Sequence, residues 1–276
     1  MSDAPPPLRE VIARHDLGAD KSFGQHFLLD LNITRKIARA AGAHAGDRII
    51  EVGPGPGGLT RALLETGAQV VAVERDRRFI GALDELRGFY PGALTIVEAD
   101  ALKADERALA PAPVKIVSNL PYNISTELLV KWLAANHGDE EPLWTSMTLM
   151  FQKEVADRIL AAPGSRTFGR LSVIAQAASR PRRAFDLPAR AFTPPPKVDS
   201  SVVTFDAAPA RLSDISGLER LTQAAFSQRR KMLRSSLKPL WGAGAEARLA
   251  AAQIEATKRA EELSVADFLR LLSGEA

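Results

Sequence analysis

One short stretch decides the fold of this chain: Arg48-Ile49-Ile50-Glu51-Val52-Gly53-Pro54-Gly55-Pro56-Gly57-Gly58-Leu59. Its first five residues are rich in branched aliphatic side chains, which is typical of a buried strand. The glycines allow a tight turn and a close approach of the backbone to a bound molecule. Gly53, Gly55 and Gly58 match the Gly-x-Gly-x-x-Gly spacing of a nucleotide-binding loop that joins a strand to a helix. The stretch therefore predicts one strand–loop–helix unit of an α/β fold.

Acidic residues follow the next two predicted strands, Gln69–Val73 and Ala93–Glu98. Glu74 stands 21 residues after Gly53, where a carboxylate accepts hydrogen bonds from both hydroxyls of a ribose. Asp100 is placed to accept a hydrogen bond from an adenine amino group. The glycine motif alone fits NAD, FAD or an adenosyl sulfonium. A series of acidic groups suits a nucleoside with a cationic sulfonium better than one with a pyrophosphate.

A second informative run is Asn119-Leu120-Pro121-Tyr122. It lies between a predicted strand, Val114–Ser118, and a predicted helix, Thr126–Ala135, so it leaves the carboxyl end of a strand, where open α/β sheets bind ligands. An Asn side-chain oxygen and a backbone carbonyl can accept both N–H bonds of a purine amine. Proline keeps the backbone extended and rigid, and an aromatic ring offers a stacking face to a flipped base. The alternative is an ordinary turn in which Tyr covers the core.

Strands and helices alternate through the first two-thirds of the sequence. Predicted strands are Arg48–Val52, Gln69–Val73, Ala93–Glu98, Val114–Ser118, Ser146–Phe151, Arg182–Leu187 and Val198–Phe205. Predicted helices are Leu8–Arg14, Asn32–Ala41, Leu59–Thr66, Arg77–Arg87, Thr126–Ala135 and Lys153–Leu160, followed by Ile215–Phe226, Lys231–Leu237, Ala245–Ala252 and Val265–Leu272. Repeated units of this kind predict a Rossmann-like parallel sheet with helices on both faces. The last two strands have no long predicted helix between them, which favours an antiparallel pair.

Every periodic segment beyond Ala210 is helical, and the composition changes at residues 207–209. We therefore predict two domains. The first is an α/β domain over residues 1–208, whose residues 1–20 form a partly flexible arm. The second is a smaller all-helical domain over residues 209–276.

The composition restricts the class of protein. The chain has 276 residues, of which 46% are hydrophobic and 25% charged, as in globular proteins. No apolar run approaches the roughly 20 residues that span a bilayer, and no signal-peptide pattern is present. We therefore expect a cytoplasmic protein without a membrane partner. The chain has no cysteine, and its four histidines show no ligand spacing, so we expect no metal.

The net charge of +3 is unevenly distributed. Residues 153–238 contain 16 basic and 7 acidic residues, a net charge of +9, whereas residues 1–152 have a net charge of −4. A concentration of positive charge is the expected footprint of a polyanion such as nucleic acid. The alternative is a solvated surface that is rich in arginine.

Several separated motifs resemble one known family. They are Phe23-Gly24-Gln25-His26-Phe27-Leu28, the loop Glu51–Gly57, Val73-Glu74, Asp100, Asn119-Leu120-Pro121-Tyr122 and Phe192-Thr193-Pro194-Pro195-Pro196-Lys197-Val198-Asp199. Together they resemble the ribosomal small-subunit adenine dimethyltransferases, over at least residues 8–237. That family is related to the erythromycin-resistance rRNA methylases.

The resemblance implies a class I methyltransferase fold and S-adenosyl-L-methionine as the cofactor. It implies N6,N6-dimethylation of two adjacent adenosines in the 3′-terminal hairpin of small-subunit rRNA. The implied partner is this rRNA in the immature 30S subunit, late in its assembly, and we expect the enzyme to be a monomer.

The resemblance also assigns roles to single residues. The implied cofactor contacts are His26, Leu28, Gly53, Glu74, Asp100 and Asn119. His26 departs from the family, many members of which have Asn there. The implied target-adenine site consists of Asn119 and the Leu120 carbonyl as acceptors, Pro121 as the rigid element, Tyr122 as the stacking ring and Phe192 as a second aromatic. For Phe192, core packing beside the proline run is the alternative.

A basic segment is expected to contact the RNA backbone. Its candidate residues are Arg229, Arg230, Lys231, Arg234 and Lys238. One helical turn separates Arg230 from Arg234, so a continuous amphipathic helix would place both on one face. The alternative is a helix packed on the protein with solvated arginines.

Three competing functions remain open from the residues. The first is the same chemistry on large-subunit rRNA or DNA adenine. The second is a non-catalytic RNA-binding factor, against which the intact Asn119 and Glu74 argue. The third is an NAD-dependent oxidoreductase, for which the sequence supplies no hydride-transfer acid or base.

Overall fold

The computed structural model describes residues 4–18, 25–138 and 141–274. Phe23 and Gly24 of the first family motif lie outside the described residues, as do residues 1–3 and 19–20 of the predicted N-terminal arm. The other residues of the family motifs lie within the described residues.

The strands are β1 Phe27–Leu28, β2 Arg48–Val52, β3 Gln69–Glu74, β4 Leu94–Glu98, β5 Val114–Ser118, β6 Trp144–Gln152, β7 Ser179–Leu187, β8 Phe192–Thr193 and β9 Ser200–Ala207. The helices that precede β9 are α1 Leu8–Arg14, α2 Leu31–Ala40, α3 Gly58–Leu64, α4 Ile80–Phe89, α5 Glu106–Leu109, α6 Ser125–Ala135, α7 Lys153–Ile159 and α8 Arg170–Ala178. Those that follow β9 are α9 Ile215–Phe226, α10 Leu233–Ser236, α11 Lys238–Trp241, α12 Ala245–Ala251 and α13 Val265–Ser273.

Seven strands form the main sheet in the order β4-β3-β2-β5-β6-β9-β7. The pairs β4–β3, β3–β2, β2–β5 and β5–β6 are parallel, and β6–β9 is antiparallel. The chain moves outward from β2 to β4 and then returns to the other side of β2 with β5. A crevice forms at such a reversal outside the carboxyl ends of the strands, and ligands bind there in open α/β sheets. The reversal between β2 and β5 therefore determines where the site lies.

The inner strands are buried, which explains their aliphatic sequences. Ile49, Ile50 and Val52 of β2 are at most 3% exposed, and Ile116 and Val117 of β5 at most 1%. Parallel strands covered on both faces carry such near-continuous hydrophobic runs. Near the carboxyl end of the strands, the Ser118 hydroxyl donates to the Val52 carbonyl over 2.5 Å, which ties β5 to β2.

A separate two-stranded ladder brings two distant motifs together. In it β1 pairs antiparallel with β8, so that Phe27 faces Thr193 and Leu28 faces Phe192. The sequence predicts neither strand, because each is only two residues long and its pairing partner is far away in the chain.

The chain divides into two compact units. The first comprises residues 1–129, 142–153 and 182–206, and the second residues 130–141, 154–181 and 207–276. The second unit thus takes in earlier segments besides the C-terminal helices. The predicted limits of the two domains stay a prediction.

The second unit has its own buried interior. Phe226 packs against Phe168 with ring centroids 6.2 Å apart and against Phe268 at 5.7 Å. Buried His137 bridges two segments: its Nε2 lies 2.9 Å from the Ala178 carbonyl oxygen, and its Nδ1 accepts the Leu212 N–H at 2.9 Å. Because a carbonyl only accepts, the proton of the neutral ring is on Nε2.

The structure contains a helix that the sequence patterns do not predict, α8. Its residues from Ser172 to Ala178 are buried except Gln176. Because apolar side chains occur all around this helix, its sequence lacks the one-sided periodicity of a surface helix.

The helix predicted over Lys231–Leu237 is present only over Leu233–Ser236, and Arg230 lies before it. The prediction that Arg230 and Arg234 share one helical face is therefore wrong. The structure has an extended residue at Met232 (φ −67°, ψ 151°), and α10 begins only at Leu233. The Leu233 N–H donates to the carbonyl of Lys258, 2.7 Å away, and the Arg234 N–H donates to that of Ala256. These donors serve tertiary contacts, so they cannot continue the helix that ended at Phe226.

Candidate active site

A cavity of about 330 Å³ opens at the carboxyl ends of the parallel strands, within the first unit. Its walls are the loops after β2, β3, β4 and β5, together with residues 25–28. Nine predicted site residues line it: His26, Leu28, Gly53, Glu74, Asp100, Asn119, Leu120, Pro121 and Tyr122. Residues separated by up to 96 positions thus meet at one site.

The glycine loop allows three chain segments to pack closely. A Cβ on Gly58 would lie 2.7 Å from the Leu28 carbonyl oxygen, which is backbone and cannot move aside cheaply. Gly53 has a φ of +67°, and a Cβ there would lie 3.3 Å from the Pro121 ring. The glycines therefore permit both the turn and the contact between this loop and the loop after β5.

Glu74 is the acidic residue at the end of β3 and is only 6% exposed. Its Oε1 accepts the Asp76 N–H at 2.8 Å and its Oε2 the Gly55 N–H at 3.1 Å. Burial raises the pKa of Glu74, and the backbone hydrogen bonds partly oppose that effect. The carboxyl is therefore fixed in orientation, and each oxygen retains a lone pair for a ligand hydroxyl.

Asp76 holds Gln25 at the edge of the same cavity. Its carboxylate accepts from the Gln25 side chain at 3.1 Å and from the Arg78 guanidinium at 2.5 Å. The Arg78 hydrogen bond is the main reason that the pKa of Asp76 falls to about 2. Asp76 follows Glu74 by two positions, but no sequence pattern identifies it as a site residue.

Asp100 lies across the cavity after β4. Its Oδ1 accepts the Leu102 N–H at 3.1 Å, and its Oδ2 lies 3.5 Å from the Arg75 guanidinium. The carboxylate is accordingly an oriented acceptor, which is what an amino group of a base requires.

The loop after β5 presents two hydrogen-bond acceptors. The Asn119 amide nitrogen donates to the His26 carbonyl oxygen at 3.4 Å. Since that carbonyl can only accept, the amide orientation is fixed and Oδ1 remains the free end. Neither Asn119 Oδ1 nor the Leu120 carbonyl oxygen has a protein partner among the described residues. Both oxygens belong to consecutive residues of one rigid loop.

Tyr122 is held by its hydroxyl, which lies 2.6 Å from Oγ of buried Ser200. Burial raises the pKa of this phenol. The His26 ring lies 5.7 Å from the Tyr122 ring at an interplanar angle of 33°. The His26 Nδ1 is 2.8 Å from the Pro194 carbonyl oxygen, which ties it to the proline run. Ser200 could not be predicted from the sequence, because a serine that orients a distant ring has no local pattern.

Phe192 occupies a different place from the other candidates. It is 3% exposed, packs in the core with Leu28, Leu187 and Val202, and is not among the residues that line the cavity. Phe192 therefore packs in the core, as the alternative interpretation of the sequence predicts. No geometric observation supports its predicted stacking role.

The basic segment contains two kinds of side chain. Arg229 donates to the carbonyl oxygens of Arg166 and Phe168 and forms an ion pair with Glu261 at 3.3 Å. The other four cations are exposed and have no ion-pair or hydrogen-bond partner for their side chains within the described residues. They are Arg230, Lys231, Arg234 and Lys238. Arg229 thus has a structural role, whereas these four remain available to a polyanion.

The described residues form neither a cluster of metal ligands nor a membrane-spanning helix. No group of three or more His, Cys, Asp or Glu side chains among them is placed to hold a metal ion. Within those same parts of the chain, no helix is long and apolar enough to cross a membrane.

Known proteins resemble this chain along most of its length. Residues 17–274 match the family described as Ribosomal RNA adenine dimethylase. The chain is 57% identical to Ribosomal RNA small subunit methyltransferase A of Mesorhizobium japonicum over 277 residues, which cover 98% of each chain. It is 26% identical to a dimethyladenosine transferase from Plasmodium falciparum, with a TM-score of 0.75 over 89% of this chain and 96% of that one. It is 27% identical to the 23S rRNA methyltransferase ErmE, with a TM-score of 0.67 over 90% and 98%.

Proposed function

The chain belongs to the ribosomal RNA adenine dimethylase family, and from this premise we propose that it transfers methyl groups from S-adenosylmethionine to adenine N6 amines of small-subunit rRNA. Family membership confirms the predicted enzyme class, and the class I methyltransferase relatives confirm the predicted fold class. Beyond family membership, the proposal names the cofactor, the rRNA target and the residues that bind each of them.

The cavity fits the proposed cofactor in size and in chemistry. A volume of about 330 Å³ lies within the range of ligand sites, roughly 300–1,000 Å³. Glu74 supplies an oriented carboxyl for the ribose hydroxyls, and Asp100 supplies one for the adenine amine. His26, Leu28 and Gly53 form the wall beside them. A third carboxyl, that of Glu51, lines the same cavity and suits the cationic end of the molecule.

The observation that carries the proposal is the pair of free acceptors, Asn119 Oδ1 and the Leu120 carbonyl. A purine amine is a poor nucleophile because its lone pair is delocalised into the ring. Two acceptors that bind both N–H groups draw the nitrogen toward a tetrahedral geometry and leave its lone pair free. Pro121 keeps these acceptors in a fixed relation, since its ring restricts the backbone.

The cofactor, when bound, supplies a methyl group on a sulfonium, which is already an excellent leaving group. The protein therefore contributes in-line placement and exclusion of water more than acid–base chemistry. The second methylation requires that Asn119 accept an amine that has lost one N–H. Tyr122, fixed by Ser200, offers the face on which the unstacked adenine rests.

The RNA backbone is proposed to bind the exposed cations of the basic segment. Within the described residues, the side chains of Arg230, Lys231, Arg234 and Lys238 have no internal partner. Phosphate contacts of this kind are not specific to sequence. We place the target in the 3′-terminal hairpin of small-subunit rRNA in an immature 30S particle, at two adjacent adenosines, and the enzyme acts there as a monomer.

The proposal is tested by incubating purified protein with isotope-labelled S-adenosylmethionine and unmethylated 30S particles. Mass spectrometry of the digested rRNA should show two labelled dimethyladenosines in the 3′-terminal hairpin. Free small-subunit rRNA, large-subunit rRNA and adenine-containing DNA serve as parallel substrates. Because ErmE is a structural relative, label found only in large-subunit rRNA would replace our proposal by that activity. The absence of label from every substrate would refute it.

A further inference from the structure

Glu51 is an ionisable residue of the cavity whose carboxyl group lacks a hydrogen bond that its burial would require. It precedes the glycine loop at the end of β2, lines the cavity and is 1% exposed. Its Oε2 has no hydrogen-bond partner among the described residues, and neither has the hydroxyl of the facing Thr60. A buried carboxylate without a partner is unfavourable by several kcal/mol, so the group either neutralises or acquires a counter-charge.

The surroundings of Glu51 provide no counter-charge. Burial is the main reason that its pKa rises to about 8, and the negative charge of Glu74 adds to the rise. Neighbouring Thr60, on α3, opposes part of the rise. The other ionisable residues that line the cavity are His26, Arg75, Asp76, Arg77, Asp100 and Tyr122. The main causes of the shift include no cationic group.

The proposed cofactor carries two cations, a sulfonium and an ammonium, both in its methionine part. We infer that Glu51 is protonated while the cavity is free of cofactor and releases that proton when this cationic end binds. The inference rests on the proposed function and deepens it. The bond that breaks is O–H of the carboxyl, the proton passes to the buffer, and the resulting carboxylate becomes the counter-charge of the cofactor.

Calorimetry in buffers of different ionisation enthalpy measures this proton directly. At pH 7 the dependence of the binding heat on the buffer should correspond to about one proton released per bound S-adenosylmethionine. The affinity should rise by up to about tenfold per pH unit from pH 6 and level off above pH 8, because the proton must be lost on binding. Adenosine, which has no cation, should bind without release of the proton.

Two variants make the test specific. Glu51→Gln has the same shape as the protonated carboxyl, so it should fold, bind the cofactor and release no proton. Glu74→Gln removes the neighbouring carboxyl; it should bind more weakly but still release the proton at saturating cofactor. S-Adenosylhomocysteine, which retains only the ammonium, assigns the release to one of the two cations.

The outcomes separate this inference from the proposed function. Binding of S-adenosylmethionine with a heat independent of the buffer would overturn the inference and leave the proposed function intact. Undiminished release by Glu51→Gln, or equal release on adenosine binding, would also overturn it. A folded wild-type protein that does not bind the cofactor at all would overturn both.

Discussion

The loop after β5 and the basic segment that follows α9 were both singled out from the sequence, but their organisation differs. In the loop, each side chain with a proposed chemical role has a fixed orientation: Asn119 through the His26 carbonyl and Tyr122 through Ser200. In the basic segment, four of the five predicted cations are exposed and have no partner among the residues that the structure describes. Methyl transfer depends on alignment within a fraction of an ångström, whereas attraction to phosphate acts over about 8–10 Å in salt. The first region therefore requires internal support and the second requires exposure.

The largest effect is expected at Asn119. Asn119→Ala removes an acceptor for the target amine, so methyl transfer should fall by about 10²–10³-fold, as for loss of one oriented group in a transition state. The affinity for S-adenosylmethionine should change by less than about tenfold, since the amide acts mainly on the target. Single-turnover transfer and calorimetry measure the two quantities. Asn32→Ala, in an exposed position on α2, serves as the control. A large loss of cofactor affinity with residual turnover would contradict the assignment.

The second largest effect is expected on the affinity for the cofactor rather than on transfer to the target amine. Glu74→Gln preserves the shape of the side chain but removes its charge, and the lost charge-assisted hydrogen bonds are worth roughly 1.5–3 kcal/mol. The dissociation constant of S-adenosylmethionine should rise by about 10- to 150-fold. Asp84→Asn, on the exposed face of α4, should leave it unchanged. Equal affinities of wild type and Glu74→Gln would reject the role of this carboxyl.

A smaller effect is expected in the basic segment, where two adjacent arginines form a matched pair. Arg230→Ala should weaken rRNA binding about 3- to 10-fold and reduce the slope of log K against log salt by about one. Arg229→Ala removes hydrogen bonds to two carbonyls instead, so it should lower the melting temperature by about 2–4 °C. Filter binding at several salt concentrations and thermal melting distinguish the two. If Arg229→Ala and Arg230→Ala have the same effects, the distinction between a structural role for Arg229 and an RNA-binding role for Arg230 is wrong.

The smallest effect is expected at His137, on the pH dependence of stability. It tests whether the stability of the second unit also depends on an oriented polar group. Burial lowers the pKa of His137, so as the pH falls below about 6.5 the unfolded chain binds the proton first. The neutral ring therefore makes its full contribution to the stability of the folded state above that pH. This contribution is lost as the pH falls toward the lower pKa of His137 in the folded state. The difference in melting temperature between wild type and His137→Gln should shrink from pH 7.5 to pH 5. A constant difference would show that the titration of His137 does not affect stability.

Several features of the site could be predicted from local sequence because they depend on neighbours in the chain. The strand Arg48–Val52, the glycine loop and the strand Val114–Ser118 appear as predicted, since aliphatic runs bounded by glycine or proline specify buried strands. Their order along the chain then implies that their carboxyl ends meet at one edge of the sheet. The motif resemblance added Gln25 and His26, just before β1, and both line the cavity.

Only the tertiary structure decided what depends on distant partners. It buried Phe192 in the core and gave Arg229 internal partners that the other cations of the basic segment lack among the described residues. It also interrupted the basic segment before Leu233, whose N–H binds a distant carbonyl. It also left Oε2 of Glu51 without a hydrogen-bond partner in the described part of the chain. The sequence determines local conformation because propensities and turns act between near neighbours. Orientation, burial and ionisation depend on which groups meet in space, and no local pattern encodes them.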